Sequence, residues 1–202
     1  MRIQLGEHRR SPPVSLPLGF SMATISKADA ALAQLDAAIA VSFWGDHPLA
    51  VRTIAGAALG ILSDLVELKT PKHSWRTYII EDAGVPKGEA LGILNRAQNF
   101  LKHADRDPTT TLEFDELEND DLLFVATLEA GALDLPLSPR MQAYQIWYFA
   151  VHVARYNIDA AHVEAGNRAF PSIQQCSRLE QLARGADFAL RARTVLRPNA
   201  EA

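Results

Sequence analysis

The stretch that decides the fold is residues 87–108, KGEALGILNRAQNFLKHADRDP. At about 100° per residue, an α-helix over this stretch gathers apolar side chains on one stripe. The stripe consists of Ala90, Ile93, Leu94, Ala97, Leu101 and Ala104. A second, narrower stripe beside it consists of Gly92, Arg96, Asn99 and His103. Because Pro108 cannot continue a helix, the pattern predicts an amphipathic helix that ends before it and presents a polar stripe.

Further helices are predicted on both sides of this one. Either Ser26 or Thr24 suits the N-cap of the first helix, Ser138 suits a later one, and Pro48 suits a first helical position that follows Asp46 or His47 as the cap. Asp115 with Glu118 resembles a capping box. The expected helices cover about residues 26–43, 48–68, 75–83, 87–104, 115–133, 141–156 and 172–195. No alternating pattern predicts a strand. The fold class is therefore all-α: a single bundle of six or seven helices over residues 23–202, preceded by an irregular N-terminal extension over residues 1–22.

Two of these helices have unusual compositions. The second carries a cluster of small residues, namely Ala55, Gly56, Ala57, Ala58 and Gly60, which predicts close approach by a neighbouring helix. Residues 141–156, MQAYQIWYFAVHVARY, are apolar nearly all round. They form either the central buried helix or the face of a dimer. His152 and Arg155 lie three apart there and are candidates for one cleft, although a buried, hydrogen-bonded histidine is the commoner case.

Composition and charge exclude several classes of protein. The 202 residues are 48% hydrophobic and 22% charged, which is typical of a globular domain rather than of a disordered chain. A net charge of −4 gives no overall attraction to nucleic acid, so any contact with RNA needs a local basic patch. No uninterrupted apolar run reaches the roughly 18 residues of a membrane span. Cys176 is the only cysteine, which excludes an intrachain disulfide and favours a cytoplasmic location.

The segment 96–103, RAQNFLKH, resembles the signature of HEPN proteins, in which an Arg and a His lie on one helix of an all-helical bundle. Many members of that class are metal-independent ribonucleases of toxin–antitoxin and defence systems, and they usually act as dimers. The resemblance therefore implies RNA as the ligand, a homodimer, an antitoxin-like protein partner, and no metal or cofactor. The string NFLKHADRDP is also similar to a group of bacterial proteins, a resemblance that brings no activity with it.

The resemblance makes Arg96, Asn99 and His103 the candidate catalytic residues. Cleavage of RNA through its own 2′-hydroxyl needs a base, an acid and a cation near the phosphorane. An imidazole changes protonation near neutral pH, so His103 suits proton transfer. A guanidinium binds phosphate oxygens bidentately, so Arg96 suits the phosphate, and Asn99 suits orientation of the scissile group. A dimer would supply acid and base from two chains.

A structural interpretation of the same residues stays open. His103 near a helix C-terminus is favourable with the helix dipole, and Arg96 has Glu89 and Asp105 as candidate ion-pair partners. The protein as a whole also has an alternative interpretation, a non-catalytic helical interaction module whose contact surface is Tyr144 to Phe149.

Other polar clusters give weaker signals. Asp105, Asp107, Thr109 and Glu116 follow the spacing of a Ca²⁺ loop, but Thr110 occupies the position that requires glycine. The last helix carries Arg178, Arg184, Arg191 and Arg193, with Glu180 and Asp187 interleaved. That pattern favours a solvated, salt-bridged face over a basic strip for RNA.

Overall fold

The computed structural model describes residues 23–103, 105, 108–154 and 160–196, and excludes the side chains of 193–196. The described residues contain helices and no strand, which confirms the all-α class. The α-helices are α1 (Lys27–Trp44), α2 (Pro48–Lys69), α3 (Trp75–Asp82), α4 (Lys87–Lys102), α5 (Glu118–Ala132), α6 (Pro139–Val151), α7 (Ala160–Ala169) and α8 (Arg178–Leu196). Single 3-10 turns lie at Pro71–His73 and Ile173–Gln175. The predicted extension over residues 1–22 lies outside the described residues.

The helix count differs from the six or seven that the sequence predicts, since the described residues contain eight. The added helix is α7, whose ten residues, AAHVEAGNRA, contain a single large apolar side chain, Val163. The last helix was also expected to begin at Ser172. Instead Ser172 has a positive φ of 58°, a 3-10 turn follows, and α8 begins at Arg178.

Local capping explains most helix starts. The Ser26 hydroxyl accepts a hydrogen bond from the Asp29 N–H at 3.1 Å, and the Ser138 hydroxyl accepts one from the Met141 N–H at 3.2 Å, as expected of N-caps. Pro48 occupies the first position of α2, as predicted. The capping box at Asp115 is wrong, because the Asp115 carboxylate accepts from the N–H of Leu117 at 2.9 Å and closes a local turn before α5.

Helix α6 is the centre of the packing. It contacts α1, α5, α7 and α8, and its Tyr144 and Trp147 have 0% exposed surface. The Phe43 ring of α1 packs edge-on against Trp147 with centroids 5.4 Å apart. Burial, together with the neighbouring Asp120 carboxylate, holds the pKa of Tyr144 well above its usual value. Of the two interpretations of this helix, the structure supports the central buried one.

Helix α2 is, within the described part of the chain, the one helix long and apolar enough by length and composition to cross a membrane. It packs against α1, α4 and α5 and buries apolar side chains along its length. Near its end, Asp64 and Glu67 both bind the Arg76 guanidinium, at 2.8 and 2.9 Å. Core helices of folded domains meet the same criteria of length and composition, so these alone do not make α2 a membrane segment.

Helices α3 and α4 pack against each other at one side of the molecule, where α4 also contacts α2 and α3 also contacts α5. A buried carboxylate attaches this pair to the core. Glu129 of α5 is 0% exposed and accepts hydrogen bonds from the Ser63 hydroxyl at 3.0 Å and from the Arg76 N–H at 3.1 Å. Since Arg76 lies in the first turn of α3, Glu129 fixes where that helix begins.

Candidate functional site

Helix α4 lies at the edge of the molecule, which changes the predicted division of its surface. Ala90 and Ala97 are 3% exposed, as the apolar stripe predicts. Ile93, on the same stripe, is instead 62% exposed, because the main helix contacts of α4, with α2 and α3, do not cover it. Ala104 lies outside the described residues. The helix therefore buries a narrow strip and leaves most of its surface open.

A polar side chain, Gln98, makes the contact with α2. It is 7% exposed, and a Cβ added at Gly56 would lie 2.3 Å from its Oε1 atom. In the orientation of the Gln98 side-chain amide that satisfies both of its polar atoms, the nitrogen donates to the Arg52 carbonyl at 3.1 Å and the oxygen accepts from Lys102 Nζ at 2.7 Å. The prediction that small residues of the second helix admit a close neighbour is thus confirmed at Gly56. Gly60 has open space around it.

The outer face of α4 and the segment 110–113 enclose a groove of about 550 Å³. Arg96, Asn99 and His103 all line it, so the structure brings the three predicted residues together on one wall. The groove is completed by Phe100, Thr110, Thr111, Leu112 and Glu113. We call this feature the α4 groove. Periodicity predicts the α4 wall, but it carries no information about the opposite wall, which comes from the chain that returns after Pro108.

The predicted residues make few contacts within the protein. Arg96 donates one hydrogen bond, from Nη2 to the Glu113 carbonyl, at the long distance of 3.5 Å. Neither Glu89 nor Asp105, the partners of the structural interpretation, forms an ion pair with it among the described residues. His103 is the C-cap of α4, half-buried, and its backbone N–H donates to the Asn99 carbonyl at 3.1 Å. Within the described chain, the Asn99 and His103 side chains have no hydrogen-bond partner, so their polar atoms remain available to a ligand.

A second arginine lies behind the groove. Arg52 of α2 is 6% exposed, and its Nη1 atom lies 3.5 Å from the Glu118 carboxylate. Burial lowers the pKa of Arg52, Glu118 opposes that change, and the positive charge of Arg96 lowers it further. The Arg52 guanidinium is therefore paired with Glu118, and its positive charge also lies close enough to Arg96 for the two to repel. An anion bound in the α4 groove would reduce that repulsion.

Glu113 is the groove residue that sequence reasoning missed. It is exposed and lines the wall opposite Arg96 and His103. A carboxylate and an imidazole in one groove provide two groups capable of proton transfer, beside a guanidinium capable of binding phosphate. No local motif marks Glu113, because only the return of the chain after α4 gives it this position.

The molecule contains a second constellation of His, Arg and Asp, built around a buried carboxylate: His152 is also buried, and the Arg178 side chain is 25% exposed. Asp120 of α5 is 0% exposed, and its two carboxylate oxygens bind His152 Nε2 at 2.9 Å and Arg178 Nη2 at 2.7 Å. Arg178 also lies over the Trp147 ring, 5.3 Å from its centroid. We call Asp120, His152 and Arg178 the buried triad. Its residues join α5, α6 and α8, and the expectation that His152 is buried with a partner is confirmed. Arg155 lies outside the described residues.

The remaining arginines of α8 take mixed roles. Arg191 pairs with Asp187 one turn away, as a salt-bridged face predicts. Arg184 instead donates to the Pro171 carbonyl at 2.9 Å and contacts Cys176 Sγ at 3.2 Å. The side chain of Arg193 lies outside the described part of the chain.

Among the described residues, no group of three or more His, Cys, Asp or Glu side chains has the arrangement of a metal site. Asp107, part of the Ca²⁺-loop pattern, lies outside the described residues.

Comparison of the chain with protein-family models, with curated proteins and with solved structures finds no match.

Proposed function

We propose that the protein binds single-stranded RNA in the α4 groove and cleaves it there without a metal ion. The observation that supports the proposal is the convergence of Arg96, Asn99 and His103 on one open groove. Among the described residues the Asn99 and His103 side chains have no hydrogen-bond partner, and Arg96 has one long contact, at 3.5 Å, with the Glu113 carbonyl. Single-stranded RNA suits the groove because its phosphates, 2′-hydroxyls and bases are all accessible, whereas an A-form duplex presents mainly its backbone.

The chemistry follows from the groups in the groove. One of His103 and Glu113 removes the proton of the 2′-hydroxyl, whose oxygen attacks the adjacent phosphorus. The other group donates a proton to the departing 5′-oxygen, so the products are a 2′,3′-cyclic phosphate and a 5′-hydroxyl. Arg96 stabilises the charge of the phosphorane, and Asn99 orients the scissile phosphate. In this arrangement one chain supplies both acid and base.

A homodimer remains part of the proposal in a different form. If the α4 grooves of two chains face each other, the second His103 replaces Glu113 as the acid or the base. The two versions differ in a measurable way, because only the first makes the rate depend on the Glu113 carboxylate and leaves it independent of protein concentration. An antitoxin-like partner would act by covering the same groove.

The experiment is cleavage of unstructured RNA by purified protein in the presence of EDTA. We expect Arg96→Ala and His103→Ala each to slow cleavage by about 100-fold or more, which is the usual contribution of a positioned acid, base or charge-stabilising group. Matched controls are Arg168→Ala and His162→Ala, which remove exposed residues of the same types from α7. No cleavage by the unaltered protein, or equal cleavage by all five proteins, would overturn the proposal.

The alternative function, a helical interaction module, needs a surface other than the predicted one. Tyr144 and Trp147 have no exposed surface, so the segment Tyr144 to Phe149 already packs within the chain. The side chains of Trp44 and Leu179 are 70% and 71% exposed and both lie close to Gly45, which favours that region as a contact surface for a protein.

A further inference from the structure

A second pocket lies apart from the α4 groove, where the end of α2, the start of α3 and the end of α5 meet. His73, Trp75, Tyr78, Leu128 and Ala132 line its volume of about 570 Å³. The pocket has room for a flat heterocycle, and aromatic and aliphatic side chains form most of its wall. We call it the Trp75 pocket.

The two aromatic rings of the pocket are exposed and held in place. Trp75 is 41% exposed and Tyr78 is 50% exposed, and their ring centroids lie 5.9 Å apart at an interplanar angle of 68°. The Tyr78 hydroxyl donates to the Lys72 carbonyl at 2.6 Å, which fixes its ring. Trp75 is the first residue of α3, the helix start that Glu129 fixes from the core. Fixed, exposed aromatic faces are suited to stacking, since little side-chain freedom remains to be lost on binding.

Basic side chains adjoin the pocket on one side. Lys69 ends α2, Lys72 and His73 lie in the connection from α2 to α3, and all three are exposed, whereas the last turn of α3 carries the exposed carboxylates Glu81 and Asp82. The Thr70 hydroxyl donates to the Ala132 carbonyl at 3.3 Å, so this connection directly adjoins the pocket wall. The acidic residues of α2 nearby, Asp64 and Glu67, are already paired with Arg76. The acidic group that follows the α5 wall in sequence is Asp134, which is exposed.

We propose that the Trp75 pocket stacks an unpaired base of single-stranded RNA, with Lys69 and Lys72 beside the flanking phosphates. Stacking on exposed aromatic side chains, with basic side chains beside the phosphates, is how proteins bind single strands with little sequence preference. The inference deepens the proposed function, on which its choice of ligand rests, by adding a binding subsite outside the α4 groove. Because α3 packs against α4, one pair of helices carries both sites.

The experiment follows the fluorescence of Trp75 as ligand is added. The background variant is Trp44→Phe, since Trp147 is 0% exposed and Trp75 is then the exposed tryptophan of the described chain. The probes are a 2′-O-methyl oligouridylate of about ten nucleotides, which has no free 2′-hydroxyl to attack the phosphate, and an abasic strand of equal length. We expect the oligouridylate to quench Trp75 and the abasic strand to leave the fluorescence unchanged, because only a base can stack.

Variants then assign the affinity to the pocket. We expect Trp75→Ala to weaken binding of the oligouridylate by about 5- to 150-fold, and Trp75→Phe to retain most of the affinity because phenylalanine also stacks. Replacement of Lys72 by Gln should weaken both strands and reduce the dependence of affinity on salt. Ile93→Ala is the matched control, since it removes a large exposed side chain from α4 without touching the pocket.

The two proposals fail in different ways. Quenching without any RNA cleavage would support the Trp75 pocket and contradict the nuclease. Cleavage that depends on His103, with neither quenching nor an effect of Trp75→Ala on affinity, would support the nuclease and overturn the pocket. Quenching that rises with protein concentration alone would show that a second copy of the chain covers the rings, and it would also overturn the inference.

Discussion

The buried triad and the α4 groove contain the same kinds of side chain in opposite settings. In the buried triad, His152 and Arg178 both bind Asp120, which has 0% exposed surface. In the α4 groove, Arg96 has one 3.5 Å contact with a carbonyl, and the His103 imidazole has no partner among the described residues. The Asp120 carboxylate offsets the charge of Arg178 and holds the His152 ring by a hydrogen bond, so the buried triad supports the fold. In the α4 groove, the Arg96 guanidinium and the His103 imidazole remain available to bind a ligand.

The difference between the two regions comes from their positions in the helix packing. Asp120, His152 and Arg178 lie where α5, α6 and α8 meet, and a charge in such a place needs a partner inside the protein. Helix α4 lies at the edge of the molecule, so its polar stripe lines an open groove, with Arg96 and Asn99 exposed and His103 half-buried. A residue type alone therefore does not identify a working site. Its partners and its access to solvent do.

The largest expected effect comes from breaking the buried triad. Replacing Asp120 by Ala leaves Arg178 and His152 without their shared carboxylate, so we expect the free energy of unfolding to fall by about 3–5 kcal/mol. Urea denaturation followed by circular dichroism measures this change. Asp187→Ala, which removes an exposed partner of Arg191, is the control and should change stability by no more than about 0.5 kcal/mol. Should Asp120→Ala fail to fold, Asp120→Asn keeps the shape and one acceptor. Equal stabilities for the Asp120 and Asp187 variants would contradict the structural role.

A smaller effect is expected from adding one methyl group at glycines of α8 and α2. A Cβ at Gly185 would lie 2.3 Å from Phe43 and 2.9 Å from Trp147, beside the aromatic core that supports the buried triad. We expect Gly185→Ala to lower the midpoint of urea denaturation, with a cost of about 1–3 kcal/mol. Gly60→Ala meets open space and should raise stability by about 0.5–1 kcal/mol. Gly56→Ala should fall between them, since the end of Gln98 can move. Equal effects at Gly185 and Gly60 would contradict the packing described here.

The smallest effect on stability is expected in the α4 groove itself. Because the side chains of Arg96, Asn99 and His103 have almost no polar partners among the described residues, alanine at each position should change the free energy of unfolding by no more than about 0.5 kcal/mol. Thermal unfolding of the three variants beside the unaltered protein measures this. A loss of 2 kcal/mol or more at any of them, on the order of a buried interaction, would assign that residue to the fold.

Sequence patterns predicted the framework better than the contacts between its parts. Ser26, Pro48 and Ser138 act through neighbours in the chain, so the helix starts that they mark could be read directly. The Asp115 carboxylate can accept a hydrogen bond either in a local turn or in a capping box, and the neighbouring sequence does not determine which one forms. Helix α7 was missed because its ten residues, AAHVEAGNRA, carry few large apolar side chains.

Sequence predicted one wall of the candidate site. Helical spacing places Arg96, Asn99 and His103 on one face, and the structure retains that arrangement. Glu113, on the other wall, reaches the groove only through the course of the chain after α4. Helical periodicity did not predict that Gln98 is buried. It fills the space beside Gly56 of α2, and that space depends on how α2 and α4 pack.

We expect the ligand to bind in the α4 groove and not at the buried triad. The direct measurement is the NMR spectrum of the histidine ring protons and arginine side chains during titration with the 2′-O-methyl oligouridylate. We expect the resonances of His103 and Arg96 to shift with ligand and to saturate together, while those of His152 and Arg178 stay in place. Shifts at His152 that match those at His103, or no shift at His103 at saturating ligand, would contradict the claim.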